Sequence, residues 1–344
     1  MKRFFLPSFK ELKNNYPLDD YQKKFINYSK TFCRDIFNKS SKKLVVITGP
    51  CSIHDEGETL LYADKLKTLQ KDLKNIFLVM RVFFEKPRSK NSWKGFLYDP
   101  KLDKSNNIQG GITKVRKLLL KITTKKVPIA TELLDPNLSS YFDDLISWGF
   151  IGARTSASTL HRHLASSLRI PVGFKNALDG DVEIAINGAI IAKNTQNYVS
   201  FDENGKICQI ESFGNNFSHI VLRGSKTQIN YDKKSLDQVL KQMKSREQEF
   251  SIVIDCSHGN SPNSHVDQIK AFRYSIKTYL EKRYPIIALM LESNLKDGKQ
   301  KLTPLNLRFG QSITDPCINF EKTKELILEA DKMLKKPLPL LSES

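Results

Sequence analysis

Four side chains that can bind a metal ion stand at the ends of apolar runs of strand length, or in the loop after the last run. If the runs are parallel strands of a closed sheet, a thiolate, an imidazole and two carboxylates converge at one mouth. That donor set suits divalent manganese, iron, cobalt or zinc better than magnesium, which prefers oxygen ligands throughout. Each residue alone is more often structural. Together they predict a metal site made of Cys51, His258, Glu292 and Asp315.

A second set at the ends of the same runs is cationic: Arg81, Lys86, Arg88, Arg154, Lys175 and Arg223. Cations near the interior of a closed sheet are costly unless they are paired, and two internal acids, Glu85 and Glu132, cannot neutralise six charges. We therefore expect anionic ligands to supply the missing charge. Because arginine matches phosphate and carboxylate geometry, the substrates should be rich in both groups. Salt bridges that serve only the fold are the alternative.

The elements that would position these residues are eight apolar runs with helix-period segments between them. Nearly continuous apolar strands are typical of a parallel sheet covered on both faces. Eight alternations predict an α/β fold, a closed (β/α)8 barrel of the TIM type. The predicted strands are 44–48, 77–84, 127–133, 151–154, 171–174, 219–222, 251–254 and 286–291. The predicted helices include 112–122, 138–148, 158–168, 182–192, 235–243, 266–280 and 323–334.

Two segments do not fit this alternation. Residues 1–43 precede the first strand as an N-terminal arm, with a helix around Asp20 to Phe37. Residues 197–210 have the pattern of a β-hairpin inserted after strand five. The catalytic barrel would then occupy 44–336 as one decorated domain, and 337–344 would form a frayed tail.

Composition limits the classes of function. The chain has 344 residues, a formal net charge of +18 and five cysteines. Unpaired cysteines without a signal peptide argue for the reducing cytoplasm, and no apolar run is long enough to span a bilayer. A basic field attracts nucleic acid, membranes and phosphorylated small molecules alike. Because the lysines are spread over almost every predicted helix, we interpret the charge as a solvated surface and expect neither a nucleic-acid nor a membrane partner.

At this point the sequence resembles the class I 3-deoxy-D-arabino-heptulosonate 7-phosphate (DAHP) synthases of the shorter bacterial and fungal type, from about residue 44 to 334. Many ordered blocks carry the resemblance, which makes it specific. They are Gly-Pro-Cys-Ser-Ile-His-Asp (49–55), Arg-Val-Phe-Phe-Glu-Lys-Pro-Arg-Ser (81–89), Trp-Lys-Gly (93–95), Ser-Trp-Gly-Phe-Ile-Gly-Ala-Arg-Thr (147–155), Pro-Val-Gly-Phe-Lys-Asn (171–176), His-Ile-Val-Leu-Arg-Gly (219–224), Asp-Cys-Ser-His-Gly-Asn-Ser (255–261), Leu-Glu-Ser (291–293) and Gly-Gln-Ser-Ile-Thr-Asp (310–315).

The resemblance implies condensation of phosphoenolpyruvate with erythrose 4-phosphate and water, the first step of the shikimate route to aromatic amino acids, by a homodimer or homotetramer. Two phosphorylated substrates would account for the cations. The same four residues match the family's ligands for one divalent metal ion. Matches to phosphoenolpyruvate contacts are Arg81, Lys86, Gly152, Ala153, Arg154, Lys175 and Arg223. Matches to erythrose 4-phosphate contacts are Arg88 and Ser89.

The chemistry that this implies is aldol-like. The metal would act as a Lewis acid on the sugar aldehyde, and the residues with catalytic roles would be Cys51, His258 and Lys86. A lysine among other cations should have a lowered pKa, which makes Lys86 a candidate general acid. Cys317, two residues past Asp315, should lie near Cys51, so that oxidation could join the two cysteines.

Several positions depart from the family pattern. Asn294 stands where a His usually follows Glu-Ser, Ser225 replaces a Gly, and Ser92 precedes Trp-Lys-Gly. The arm lacks the family's opening Asp-Asp-Leu-Arg-Ile segment, which helps to form the pocket for an aromatic amino acid effector. Arg169 adds bulk and charge near that pocket. We therefore expect weak or absent feedback inhibition.

Two other functions remain open on sequence alone. A related, shorter synthase joins phosphoenolpyruvate to arabinose 5-phosphate and shares the Gly-Pro-Cys block. The Lys-Pro-Arg-Ser block, the hairpin and the N-terminal arm favour the four-carbon sugar. A basic scaffold that binds polyanions would have no reason to keep the whole set of strand-end residues.

Overall fold

The computed structural model describes residues 2–38, 40–88, 92–303 and 306–335. Within these ranges, no helix combines the length and the apolar character needed to cross a membrane. The tail predicted at 337–344 lies outside the described residues, as does Ser89, one of the two residues expected to contact erythrose 4-phosphate.

Eight parallel strands close into a ring. They are β1 (Leu44–Gly49), β2 (Ile76–Arg81), β3 (Ile129–Glu132), β4 (Trp148–Ile151), β5 (Val172–Lys175), β8 (Ser218–Leu222), β9 (Ile252–Asp255) and β10 (Ile286–Asn294). Each strand pairs with the next, and β10 pairs back with β1. The predicted (β/α)8 barrel is therefore confirmed. A separate antiparallel hairpin consists of β6 (Asn197–Phe201) and β7 (Ile207–Glu211), and a short strand, β11 (Ile318–Asn319), extends β10.

Helices pack against the ring of strands. They are α1 (Phe9–Asn15), α2 (Asp20–Phe37), α3 (Glu56–Lys71), α4 (Ile108–Thr124), α5 (Thr159–Ser167), α6 (Glu183–Lys193), α7 (Lys233–Lys244), α8 (Gln268–Leu280) and α9 (Phe320–Met333). The helix of the N-terminal arm has the predicted limits. Its start is fixed by a capping box, in which the Asp19 side chain accepts from the Gln22 backbone N–H and the Gln22 side chain accepts from Asp19.

One predicted helix is wrong, and it shifts the neighbouring strand. The segment 138–148 has apolar residues at helical spacing, but it holds only a short 3₁₀ turn, Ser139–Tyr141. Trp148 already belongs to β4, and the backbone N–H of Ser147 donates to Ile129 O at 2.8 Å, next to β3. The barrel ladder therefore begins inside the segment that was predicted as a helix. The predicted strand 151–154 therefore lies three residues too late relative to Trp148–Ile151.

The apolar core has two layers, as expected for strands buried on both faces. In β1, Val46 belongs to the layer between barrel and helices, and Val45 belongs to the layer inside the barrel. The inner layer also contains Cys33 and Ile36 of α2. The N-terminal arm thus packs against the barrel interior, and the opposite end is left to carry the polar residues.

Candidate active site

Three of the four predicted metal ligands meet at the carboxyl ends of the strands. Cys51 follows β1, Glu292 pairs with Gly49 across the closure of the ring, and Asp315 lies in the loop between β10 and β11. One donor atom from each of the three residues lies within 4.8 Å of the other two. Cys51 Sγ lies 3.3 Å from Asp315 Oδ2. This spacing fits ligands of a single ion.

His258 stands at the edge of this group. Its Nε2 lies 3.6 Å from Glu292 Oε1, but the residue is not part of the cluster with mutual 4.8 Å spacing. Its backbone φ of 59° is unusual for a non-glycine residue and turns the side chain out of the strand direction. Nδ1 lies 2.7 Å from Ser257 Oγ and 3.0 Å from Asp255 Oδ2. An acidic partner on Nδ1 leaves Nε2 available as a metal ligand.

The donor set fits the divalent transition metal that the sequence implies. Burial and the charge of Glu292 raise the pKa of the Cys51 thiol to about 12. Burial alone would raise the pKa of Asp315 as well, but Lys86 and His258 lower it. A buried thiol of this kind becomes a thiolate when a cation binds to it. One thiol, one imidazole and two carboxylates are the ligand types that Mn, Fe, Co and Zn accept.

All six predicted cations face one cavity of about 600 Å³ at this mouth. The cavity also contains Gly152 and Ala153, which follow β4, together with His258 and Asp315. A seventh cation, Lys226, lines it and was not predicted. A larger cavity of about 1140 Å³ lies at the other end of the barrel, but none of the predicted site residues lines it.

Within the described part of the chain, Arg81 and Lys175 have carboxylate partners. Arg81 Nη2 lies 2.9 Å from Glu292 Oε1, and Lys175 Nζ lies 2.7 Å from Asp255 Oδ2. Burial alone would raise the pKa of Asp255, but the charges of Lys175 and His258 hold it well below its usual range. The expectation that ligands supply all the missing negative charge is therefore wrong for these two cations.

Other cations donate to backbone carbonyls, which carry no full charge. Arg88 Nε donates to Trp93 O at 2.9 Å, and Arg223 Nη1 donates to Gly224 O at 3.2 Å. Burial lowers the pKa of Arg223. A buried guanidinium that donates to a carbonyl gains from an anionic ligand more than a solvated one does, because water no longer screens the interaction.

Lys86 contradicts one prediction. Its Nζ lies 3.1 Å from both the carbonyl oxygen and the Sγ of Cys51. Burial lowers its pKa, as expected, but the acidic groups of Cys51, Glu292, Glu132 and Asp315 raise it further, so the net pKa is raised. The sequence patterns singled out the cations around Lys86 and missed how closely the acids of the metal site would surround it.

Three asparagines fix the loops that carry Arg223. The Arg223 backbone N–H donates to Asn176 Oδ1 at 2.8 Å, Gly224 N–H donates to Asn230 Oδ1 at 2.8 Å, and Asn260 Nδ2 donates to Leu222 O at 3.2 Å. The loops after β8 and β9 also touch closely. A Cβ on Gly224, whose φ is 67°, would lie 2.4 Å from the carbonyl carbon of Gly259. Only glycine fits this approach.

Sequence reasoning missed the role of Asp255, which orients His258 and neutralises Lys175. A signal was present, because Asp255 ends an apolar strand next to a predicted ligand. Lys226 gave no comparable signal, since it lies in a loop after β8 with no strand end beside it.

Comparisons with known proteins agree with this geometry. The sequence profile of the DAHP synthetase I family matches residues 17–328. A "Phospho-2-dehydro-3-deoxyheptonate aldolase, Tyr-sensitive" of Salmonella typhimurium is 38% identical over 327 residues, which cover 94% of this chain and 92% of the relative. A phospho-2-dehydro-3-deoxyheptonate aldolase of Corynebacterium glutamicum is 35% identical over 94% of this chain and 90% of its own.

A solved structure is similar over the whole fold. The phospho-2-dehydro-3-deoxyheptonate aldolase of Francisella tularensis is 37% identical, with a TM-score of 0.93 over 97% of this chain and 99% of the other. Profile, sequence identity and fold thus agree over most of the chain. The chain therefore belongs to the class I DAHP synthases, which condense phosphoenolpyruvate with erythrose 4-phosphate at the first step of the shikimate pathway.

Proposed function

We propose that the mouth of the barrel binds both substrates beside one divalent metal ion held by Cys51, His258, Glu292 and Asp315. One observation carries this proposal: a single cavity of about 600 Å³ is lined by all six predicted cations and by two of these ligands, His258 and Asp315. Holding two anions in one cationic space offsets their mutual repulsion and fixes their reacting carbons close together.

Phosphoenolpyruvate would occupy the part of the cavity nearest β4, β5 and β8. Its carboxylate and phosphate match the forked geometry of arginine. Arg223 favours an anion most, because it is buried and donates to a carbonyl. The proposed contacts are Arg81, Lys86, Gly152, Ala153, Arg154, Lys175 and Arg223.

Erythrose 4-phosphate would lie nearer the loop after β2. Arg88 lines the cavity there, and its hydrogen bond to Trp93 O holds the guanidinium at the rim. Lys86 lines the same cavity, and its Nζ lies 3.1 Å from Sγ of the proposed ligand Cys51. Ser89 is kept as a proposed contact on sequence grounds.

The reaction needs a proton for the new hydroxyl group. When bound, the metal ion supplies Lewis-acid polarisation of the sugar aldehyde. Lys86 Nζ, 3.1 Å from Cys51 Sγ, stands beside the site where that oxygen gains negative charge. The ammonium group of Lys86 can donate a proton to that oxygen. Water adds at C2 of the former phosphoenolpyruvate, and phosphate leaves.

Five free cysteines suit a reducing cytoplasm, which we propose as the location.

The experiment is an assay of phosphoenolpyruvate consumption with erythrose 4-phosphate, before and after a chelator, followed by addition of Mn²⁺, Fe²⁺, Co²⁺ or Zn²⁺ one at a time. We expect activity to vanish with the chelator and to return with at least one of these ions. Arabinose 5-phosphate should give no comparable turnover. Lys244→Ala, at the opposite end of the barrel, serves as the lysine control for Lys86→Ala. Equal activity of Lys86→Ala and Lys244→Ala would contradict the role of Lys86.

We further propose that the chain forms a homodimer or homotetramer through the β6–β7 hairpin. Large apolar side chains are exposed there, among them Val199 at 70% and Ile207 at 74%. Phe213 and Leu160 nearby are also exposed. Exposed apolar patches of this kind mark interfaces. Light scattering of Val199→Glu/Ile207→Glu should give a smaller particle than the parent chain, and an unchanged mass would refute this interface.

A further inference from the structure

Beneath the loop that carries Lys86 and Arg88 lies a buried group of acids. Glu85, immediately before Lys86, is only 4% exposed. None of the ion pairs found among the described residues includes it, and its charged neighbours, Asp135 and Glu132, are themselves acidic. A carboxylate ion in this position would lose its water and lie beside the charges of two other acids.

The hydrogen bonds around Glu85 decide which acid holds a proton. Tyr98 Oη lies 3.3 Å from Asp135 Oδ2, and the same hydroxyl interacts with the Glu85 carboxyl group. A phenol has one proton and cannot donate to two carboxylates at once. Asp135 is the better-supported ion, because its Oδ1 accepts from the backbone N–H of Asn137 at 2.9 Å and from its side chain at 3.1 Å.

Glu85 has weaker support as an ion. Among the described residues, its Oε1 has no hydrogen-bond partner. Burial raises the pKa of Glu85 well above the usual range, and the charges of Asp135 and Glu132 raise it further. All three observations favour a neutral carboxylic acid.

The position of Glu85 links this group to the substrate loop. The backbone N–H of Lys86 donates to Lys94 O at 2.9 Å, and that of Leu97 donates to Phe84 O at 3.1 Å. The chain thus returns over Glu85 and brings Tyr98 beside it. Gly95, with a φ of 116°, permits this return, since a Cβ there would lie 2.8 Å from Glu85 Cα. A hydrogen bond between Glu85 and Tyr98 would therefore connect the two ends of the loop.

We propose that Glu85 is a positioning residue that keeps its proton: its carboxylic acid donates to Tyr98 Oη, Tyr98 donates to Asp135, and this chain of hydrogen bonds holds Lys86 and Arg88 in place for the sugar phosphate. This inference rests on the proposed function of Lys86 and Arg88. It assigns no contact with substrate to Glu85 itself.

Infrared spectroscopy tests the proton without substrate. Well above pH 7, where Glu58 has lost its proton, the resting protein should show the carbonyl band of a protonated carboxylic acid, shifted in D₂O, and Glu85→Gln should lack it. Tyr98→Phe should shift the band, because the acid loses its acceptor. A band that persists in Glu85→Gln, or the absence of any such band in the parent chain, overturns the proposal whatever the substrate contacts are.

Steady-state kinetics test the positioning. Glu85→Gln keeps a neutral side chain with a donor, so we expect it to fold and to keep the parent KM and kcat within about threefold. Glu85→Ala removes one hydrogen bond of this chain and Tyr98→Phe removes both, so in each variant KM for erythrose 4-phosphate should rise about tenfold or more while KM for phosphoenolpyruvate changes little. If Glu85→Gln is unfolded or as impaired as Glu85→Ala, the neutral-acid assignment is wrong. Arg88→Ala is the separate control, because a normal KM for the sugar in that variant contradicts the proposed function instead.

Discussion

Cys51 contacts several functional groups at once. Its thiol faces Asp315 at 3.3 Å and Lys86 at 3.1 Å, and its carbonyl accepts from Lys86. The residue is completely buried. Substitution of Cys51 therefore alters the metal ligands, the proposed proton donor and the local packing together. Substitutions at the other metal ligands are needed to separate these effects.

Removing metal ligands should abolish turnover and leave the fold. We expect Cys51→Ala, His258→Ala and Glu292→Ala to lose detectable activity and bound metal, because the barrel core does not depend on the mouth. Metal analysis after dialysis, with circular dichroism as the check on folding, makes the measurement. Full activity of the parent enzyme after complete removal of metal would contradict this prediction.

Cys317 gives the metal site a route to inactivation. The Cys51 backbone N–H donates to Cys317 Sγ at 3.4 Å, so the two cysteines adjoin as predicted. Oxygen with copper can take two electrons and two protons from the pair and form a disulfide, which removes a metal ligand. We expect inactivation that a thiol reverses and that is absent in Cys317→Ala. Inactivation of that variant at the parent rate would exclude this pairing.

At the scale of elements, α3 is tied to the loop that carries Asp315. Glu58 of α3 is buried and accepts from the backbone N–H of Gly310, and its Oε2 lies 3.5 Å from His54 Nε2. Burial raises the pKa of Glu58 to about 7 and lowers that of His54 to about 4. The two groups therefore make opposite contributions to the pH dependence of stability.

The sign for Glu58 follows from linkage. In the folded state Glu58 keeps its proton up to about pH 7, whereas in the unfolded chain Glu58 loses it near pH 4.5. The contribution of Glu58 to the free energy of unfolding is therefore present at low pH and is lost as pH rises between these values. The Tm of Glu58→Gln relative to the parent should therefore increase from pH 4.5 to 7 and then level off. For His54→Gln, the relative Tm should fall as pH rises towards 6.5. A pH-independent difference for Glu58→Gln would contradict the buried neutral acid.

Sequence reasoning placed a side chain correctly where its position follows from its own strand. Cys51 and Glu292 were predicted as ligands because parallel strands end at one mouth, and both lie in the cluster. Sequence reasoning failed where a residue's role depends on which side chains of other strands lie opposite it. The pairing of Lys175 with Asp255 and the raised pKa of Lys86 require knowing which side chains face each other across the barrel. The false helix at 138–148 failed for the same reason, since apolar spacing does not show where a strand must begin.

At the scale of the whole molecule, the arm and the hairpin form one surface outside the barrel. The Lys10 backbone N–H donates to Glu203 O at 2.9 Å, which joins α1 to the hairpin turn. Arg169, exposed nearby, places its guanidinium 4.2 Å from the ring centre of Phe213. An effector's ammonium group would meet this positive charge in the region where the resemblance puts the effector pocket.

We therefore expect phenylalanine, tyrosine and tryptophan to inhibit weakly or not at all. An effector shifts a conformational equilibrium only by its differential affinity for the two states, and the guanidinium of Arg169 would repel the effector's ammonium group. Titration of each amino acid at subsaturating phosphoenolpyruvate makes the test, with Arg169→Ala alongside the parent chain. Strong inhibition of the parent at micromolar concentration by any of the three would show the expectation to be wrong.

The pairing of β10 with β1 has a consequence for how the protein is made. Val45 aligns with Ala288 at the closure of the ring, so one edge of β1 stays unpaired until almost the whole chain has left the ribosome. An open apolar sheet of this kind exposes backbone donors and acceptors to other chains. Translation of the last strand thus ends the period in which the nascent chain is most prone to aggregate and most dependent on chaperones.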